Sequence, residues 1–545
     1  MNATTEAAAT QLGLVARASS HPYATALLVL IASALLLNAV SRKASKQVNL
    51  PAWVPIEIAL TSVLVASGGL GLRLCSMLRR RTGALFGVTS KHSILLDIKG
   101  QDRFFAAPSS SLSGHMRDWT MTTRVFGMDA TDELFDKANA SSKGLYVAVE
   151  RLFVNDAAST AAILRADVPG KIARLATFSP DAKLQKWELS AQRRIIDDKA
   201  VEVSLAKLLR DFGACIAIPL LYGQDFVDRY ETILSDLWSF DNDAFPLLII
   251  GVPKWAPIKG LREGVAARSR MHKELEGLYR RITQYQNGEP VDFDADMSDV
   301  SAVALERNKV YIEHGYSVHH RGQSDLGIFW AQNGNTQPLL FWFIGYVYST
   351  PGLLDSIRKE VAPYVQLAAA NPGDEPEITS YDPAGLSRDC PLLKSALFET
   401  FRLTSEPTSI RYLNRPLTLH AGGHTHDLKA GTWLSAPHAV AQYDPELYPD
   451  PTKFDPARFI EEDESGRRIA RYGKLKPWGL GTGICKGRTF AEKEILAIGA
   501  AIVTLWDMEP ADGAAWKMPG TIPGTGVKKP TEDMRVILRK RSWAA

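Results

Sequence analysis

The sequence predicts a mainly α-helical fold with small β-sheets, carried behind a single N-terminal transmembrane helix. Three observations lead there. The run Tyr23–Val40, "YATALLVLIASALLLNAV", has no charge and approaches the roughly 20 residues a bilayer-spanning helix needs. Apolar residues recur at three- and four-residue spacing through Ala200–Gly223 and Leu353–Val365, the period of a helix with one buried face. Strand-like pieces are short and scattered, among them "ALFGVTS" around Gly87 and "MRVILRKR" near the C-terminus.

The first element is the anchor. Arg42, Lys43 and Lys46 follow the apolar run, whereas only Glu6, Arg17 and His21 are ionisable before it. Cations on the C-terminal side place the large body in the cytosol and the short N-terminus in the lumen. Small residues in "ASALLLNAVS" would suit a cleaved signal peptide, but the preceding region is long and barely basic, which favours an uncleaved anchor. A second apolar stretch, Ile56–Leu74, is glycine-rich and bracketed by Glu57 and Arg73; it reads as a membrane-proximal or buried helix. The expected organisation is a lumenal tail at 1–22, the anchor at 23–41, a linker with the membrane-proximal helix at 42–81, and one large domain at 82–545.

The composition limits what that domain does. At 545 residues, 46% apolar and 23% charged, the chain resembles an ordinary globular protein with a large core. A net charge of +3 gives no argument for a nucleic-acid partner. The four cysteines, Cys75, Cys215, Cys390 and Cys485, form no C-x-x-C pair and have no close histidine, so neither a disulfide framework nor a zinc site is indicated. Proline and glycine mark surface loops at Asn371–Glu377 and Met518–Pro530.

The chemistry gathers around Cys485, in "KPWGLGTGICKGRTFAEKEI". Glycines at 479, 481 and 483 let the backbone turn tightly and approach a flat ligand. Phe490, Ala491, Ile495, Ile498 and Ile502 then keep a helical rhythm, which sets the cysteine just before a helix N-terminus. Exposed amides and the positive dipole end there favour a thiolate, and an anionic sulfur is a good axial ligand for iron. A free cysteine is more often a buried structural residue, so this segment alone decides nothing. Two others do. Glu399 and Arg402 lie three apart on one helix face, beside Ala396, Leu397 and Phe398. Arg458 follows in a proline-studded loop, where it is expected to join them in a bidentate network.

In this order the E-x-x-R pair, the P-x-R-F stretch at Pro456–Phe459 and the cysteine loop Trp478–Ala491 resemble the cytochromes P450, the haem-thiolate monooxygenases. The resemblance covers roughly residues 82–545 and implies that fold, with haem b as cofactor and Cys485 as the iron's proximal ligand. It implies Trp478, Gly479 and Gly487 around the cofactor. NADPH would supply electrons indirectly, through a reductase docking near Lys474, Lys476, Lys486, Arg488 and Lys493. The anchor matches the microsomal form, implying a single-pass protein of the endoplasmic reticulum membrane with a cytosolic catalytic domain and a lipophilic substrate. Two positions depart from the pattern: Gly483 stands where a basic residue usually contacts a haem propionate, and Lys486 where an apolar one is usual. Trp478 replaces the commoner phenylalanine. Arg411 is therefore the first candidate to hold a propionate, with Trp187 and Arg193 or Arg194 behind it.

The distal side also departs. Where the family usually has an acid followed by threonine, this chain has Asn335 and Thr336, flanked by Gly334 and Pro338. Asparagine cannot release a proton at neutral pH, and the flanking residues predict a kink in the long helix. The W-A-x-x-x-N-T-x-P pattern resembles the steroid 7α-hydroxylase and prostacyclin synthase branch and related fungal biosynthetic enzymes. That branch holds both monooxygenases and an isomerase. Retention of Thr336 favours a monooxygenase; the alternative is an isomerase or dehydratase that cleaves a peroxide without external electrons. Phe245–Gly260 reads as an apolar lid reaching the bilayer. Leu326–Trp330 and Thr408–Tyr412 would line the pocket by family analogy, and a terpenoid, a sterol or another secondary-metabolite intermediate is the expected substrate.

Overall fold

Long helices with buried apolar faces surround small sheets in the computed structural model, which describes residues 85–89, 92–95, 105, 110–249, 252–368, 376–421, 424–522, 524 and 526–541. The expected lumenal tail, anchor, linker and membrane-proximal helix lie outside these residues. Among the described residues no helix is long and apolar enough to cross a membrane.

The helices that frame the site are α1 (Asp132–Val149), α2 (Asp156–Arg165), α3 (Leu205–Tyr222), α4 (Lys259–Asn287), α5 (Ala302–Glu313), α6 (Val318–Asn333), α7 (Thr336–Ser349), α8 (Leu353–Val361), α9 (Pro391–Thr404) and α10 (Arg488–Leu505). Several start where a short polar side chain captures an orphan amide: Thr131 for α1, Asn155 for α2, Ser204 for α3, Ser301 for α5 and Ser317 for α6. Helix α7 is buried on nearly every side, with Trp342, Phe343 and Ile344 fully enclosed, as an all-round apolar helix must be.

The strands of interest are β1 (Leu85–Thr89), β2 (His92–Leu95), β3 (Leu112–Ser113), β4 (Arg194–Asp197), β5 (Ala200–Ser204), β6 (Thr408–Leu413), β7 (Trp433–Pro437), β8 (Trp506–Pro510) and β9 (Arg535–Lys540). Among the described residues the two larger sheets have the orders β1-β2-β7-β6-β3 and β8-β9-β5-β4, and four further sheets are two-stranded. Antiparallel β6 and β7 pair Arg411 with Leu434, which fixes Arg411 within a buried strand. Two expected helices are shorter than their patterns. Residues 200–204 form β5 before α3 begins; every one of them is buried, so no alternation betrayed a strand. Helix α8 stops at Val361, and Val365 opens a separate hairpin.

Candidate active site

The cysteine loop is built by close approaches that only glycine allows. Gly479 and Gly481 have φ of +77° and +63°, where a side chain strains the backbone. A Cβ on Gly481 would stand 2.3 Å from Phe105 O. The loop is closed by Cys485 N–H donating to Trp478 O at 2.9 Å. Leu480 N–H donates to Ser409 Oγ at 3.1 Å, and Ser409 lies 2.8 Å from His438 Nε2. Burial, with Lys476 and Arg411 nearby, lowers the His438 pKa to about 4 and keeps the ring neutral. Trp478 donates from Nε1 to Tyr472 Oη at 3.1 Å and meets Phe401 edge-on, with ring centroids 4.7 Å apart.

Cys485 sits where the pattern placed it, with Gly487 as N-cap of α10. Gly487 has an ordinary φ of −86°, and a Cβ there would stand 3.9 Å from the Cys485 sulfur, so it leaves the sulfur open on that side. Cys485 is exposed yet surrounded by enough protein to be desolvated. That desolvation pushes its pKa up; the Gly487 and Arg488 amides and the Arg488 and Lys486 cations pull the other way without winning.

Glu399, Arg402 and Arg458 meet as expected. Glu399 accepts from Arg402 Nε and Nη2 at 2.8 and 2.7 Å, from Arg458 Nε at 3.0 and 3.1 Å, and from Asp455 N–H at 3.1 Å. Glu399 and Arg402 are fully buried. Arg402 also donates to Gln442 O and Pro451 O at 2.7 and 2.6 Å, tying α9 to the loop that leads back to the cysteine.

Gly483 now has a reason. A Cβ there would lie 2.5 Å from Arg411 Nη2: the guanidinium fills the space a side chain at 483 would need. Arg411 is buried, donates to Ile410 O at 2.8 Å and Leu480 O at 2.9 Å, and lies over the Phe105 ring. Among the described residues no carboxylate pairs with it. Burial, with Arg117 close by, lowers its pKa to about 10. A buried cation held only by carbonyls favours an anion beside it. Arg117, paired with Asp118, which also accepts from Tyr146 Oη at 2.9 Å, adds charge nearby. The second propionate candidate is not supported. Trp187 donates to Leu175 O, Arg193 holds Thr177 O, and Arg194 pairs with Glu202 on the other sheet. Nothing in the spacing of Arg117 or His438 marked them in advance.

The distal helix breaks between α6 and α7, at Gly334 and Asn335. Pro338 falls in the first turn of α7, where its missing N–H costs nothing. Thr336 is buried, and the Asn335 Oδ1 is buried without a hydrogen-bond partner. The C-terminal loop presses on it: a Cβ on Gly526 would lie 2.4 Å from that oxygen. Helix α7 reaches the cysteine helix through Gln337, whose Nε2 donates to Glu494 Oε1 at 3.4 Å, and through Gly499, against which Phe343 packs too closely for any Cβ. Above the break, Phe245 stacks on Trp330 at 4.4 Å and Phe126 lies 5.6 Å from the same ring. Trp330 Nε1 donates to Asp241 at 2.9 Å, which Lys529 holds at 3.0 Å. The expected lid thus divides: Phe245 and Leu248 are core, while Trp255 is 69% exposed.

Comparison with known proteins fits this geometry. The pattern of the family Cytochrome P450 matches residues 224–535. The chain belongs to the cytochrome P450 family. This P450 is 24% identical to the 25-hydroxycholesterol 7-alpha-hydroxylase of Rattus norvegicus, over 75% of its own length and 96% of that protein. It is 26% identical to the cytochrome P450 monooxygenase poxD of Penicillium oxalicum, over 64% of itself and 67% of that protein. With rat cytochrome P450 7A1 it shares 28% identity over 58% of itself and 61% of that protein. As a P450 monooxygenase it uses a haem cofactor and takes electrons from a redox partner.

The residues present suit that cofactor. The glycines remove Cβ atoms from a cradle at the cysteine, Arg411 is a buried cation suited to a propionate, and an unsatisfied amide oxygen stands at the distal helix break. One of the cations expected on the proximal face is buried. Lys493 is buried and tied to Asp156 at 2.9 Å and Thr160 at 2.8 Å, and Lys486 pairs with Glu150. Lys493 therefore lies off the surface, whereas the Lys486–Glu150 pair is solvent-accessible and Lys474 is exposed.

Proposed function

We propose that this P450 hydroxylates or otherwise oxidises a lipophilic terpenoid- or sterol-like molecule, or a similar secondary-metabolite intermediate, using O2 and NADPH through a P450 reductase. The observation that carries the reading is the helix break that presents Asn335 and Thr336 together. A bound haem would supply oxygen activation and one-electron chemistry, and Cys485 would hold its iron through an electron-donating sulfur. Arg411 would hold a propionate, and Trp478 closes the cysteine loop by accepting from Cys485 N–H. Thr336 offers a hydroxyl that passes a proton, and Asn335 Oδ1 accepts from a water or from the substrate. Phe126, Phe245 and Trp330 exclude bulk water above the break. The rat relative, named a 25-hydroxycholesterol 7-alpha-hydroxylase, supports a sterol-like substrate, and the Penicillium relative, named a monooxygenase, supports the reaction type. The expected organisation, with the anchor at 23–41 and the catalytic domain at 82–545 on the cytosolic face of the endoplasmic reticulum, belongs to the same reading.

The test is turnover of sterol and terpenoid candidates with reductase and NADPH under 18O2. The expected product carries one labelled oxygen, and its formation stops without NADPH. Rearrangement of a hydroperoxide substrate with neither NADPH nor O2 would replace this reading with the isomerase.

A further inference from the structure

Away from the cysteine, a cavity of about 300 Å3 opens at the surface between the loop Gly127–Asp129, α4 and the start of α6. Lys254, Arg268 and Lys273 line it, with His272, His319, Glu276 and Asp129. Both carboxylates have histidine neighbours: Glu276 lies 2.9 Å from His319 Nδ1, and Asp129 lies 3.4 Å from His320 Nε2. Among the described residues none of the three cations has a carboxylate within ion-pair distance. Arg268 is the unusual one. It is 6% exposed and donates from Nη1 to Val125 O at 2.7 Å, while its Nε is buried with no partner. Its guanidinium lies under Gly127, whose φ of +79° and missing Cβ make the room. A guanidinium lining the cavity without a carboxylate, beside two exposed ammonium groups, matches an anion with several acceptor oxygens.

We propose that this cavity binds a phosphate anion, carried on a lipid headgroup or free in solution, between Lys254, Lys273 and Arg268. Trp255, next to Lys254 and 69% exposed, points to the lipid source, because tryptophan settles where apolar chains meet headgroups. The site also borders the substrate side. Arg268 and the His272 Nε2 contact Val125 O and Phe126 O at 2.7 Å each, and the Phe126 ring packs on Trp330. A ligand here therefore steadies the loop that carries one wall of the distal chamber.

Calorimetric titration of the full-length haem-loaded enzyme in non-ionic detergent tests this, with dihexanoyl-phosphatidic acid, dihexanoyl-phosphatidylcholine and inorganic phosphate as probes. Saturable binding of the phosphatidic acid, much weaker binding of the phosphatidylcholine, and at least a tenfold loss in the double variant Lys254→Gln/Lys273→Gln are expected. Both lysines are exposed, so the variant keeps its fold; an unchanged haem spectrum checks this. Inorganic phosphate binding as tightly, with the same loss in the variant, supports the site and assigns it to a free anion. Wild type that binds none of the probes saturably, or a variant that binds as well as wild type, overturns the proposal.

Discussion

At the scale of single residues, Arg411 and Gly483 form one device split between two positions. Where the family pattern has a basic side chain in the cysteine loop, this chain leaves the loop bare and brings the cation from β6. An ionic hydrogen bond to a propionate contributes about 1.5–3 kcal/mol. Arg411→Ala should therefore weaken haem binding by roughly tenfold to a hundredfold, measured by haem transfer to an apoprotein acceptor. Arg411→Lys should recover part of the loss, since it keeps the charge but not the planar donors. Unchanged haem retention in the alanine variant would show that Arg411 only packs. The pairing of Arg411 with a bare Gly483 was half legible in the sequence. The missing cation was visible, and Arg411 could be named, but the fit between the two needed the strand register.

At the scale of elements, α9 and the loop before the cysteine are joined through one carboxylate. Glu399 is completely buried and neutralises two arginines. Glu399→Gln leaves both under-compensated and should cost about 3–5 kcal/mol, read as a lowered urea midpoint; a shift under 1 kcal/mol would mean the arginines find other partners. This network was legible because E-x-x-R spacing and a later arginine in a proline-rich loop are local patterns. The break between α6 and α7 was legible for the same reason, from Gly334 and Pro338. The strand β5 was not, because burial on both faces erases period-two alternation. The roof was half legible: the apolar run Phe245–Gly260 showed itself, but which of its residues turn inward depends on the distant Phe126, Asp241 and Lys529. The proximal cations misled, since Lys493 looks like a surface lysine until α2 is packed against it.

At the scale of the whole molecule, the distal and cysteine helices meet through the buried pair Gln337 and Glu494. Burial raises the Glu494 pKa from 4.5 to about 8, so the native state holds a proton that the unfolded chain releases. Stability from this group is complete below about pH 4.5 and is lost as pH rises towards about 8. Glu494→Gln, which stays neutral, should gain on wild type over that range. Urea midpoints of the two proteins between pH 5 and 8 measure the difference, and parallel curves would contradict it. The helix break, the cysteine cradle and the family match converge on one claim, that Cys485 ligates a haem. The most direct measurement is the absorption of the reduced full-length protein under carbon monoxide, beside Cys485→Ser. Wild type should show the red-shifted Soret band of a thiolate-ligated haem, and the variant should lack it. A histidine-type spectrum in wild type, or a red-shifted band surviving in Cys485→Ser, would contradict the assignment.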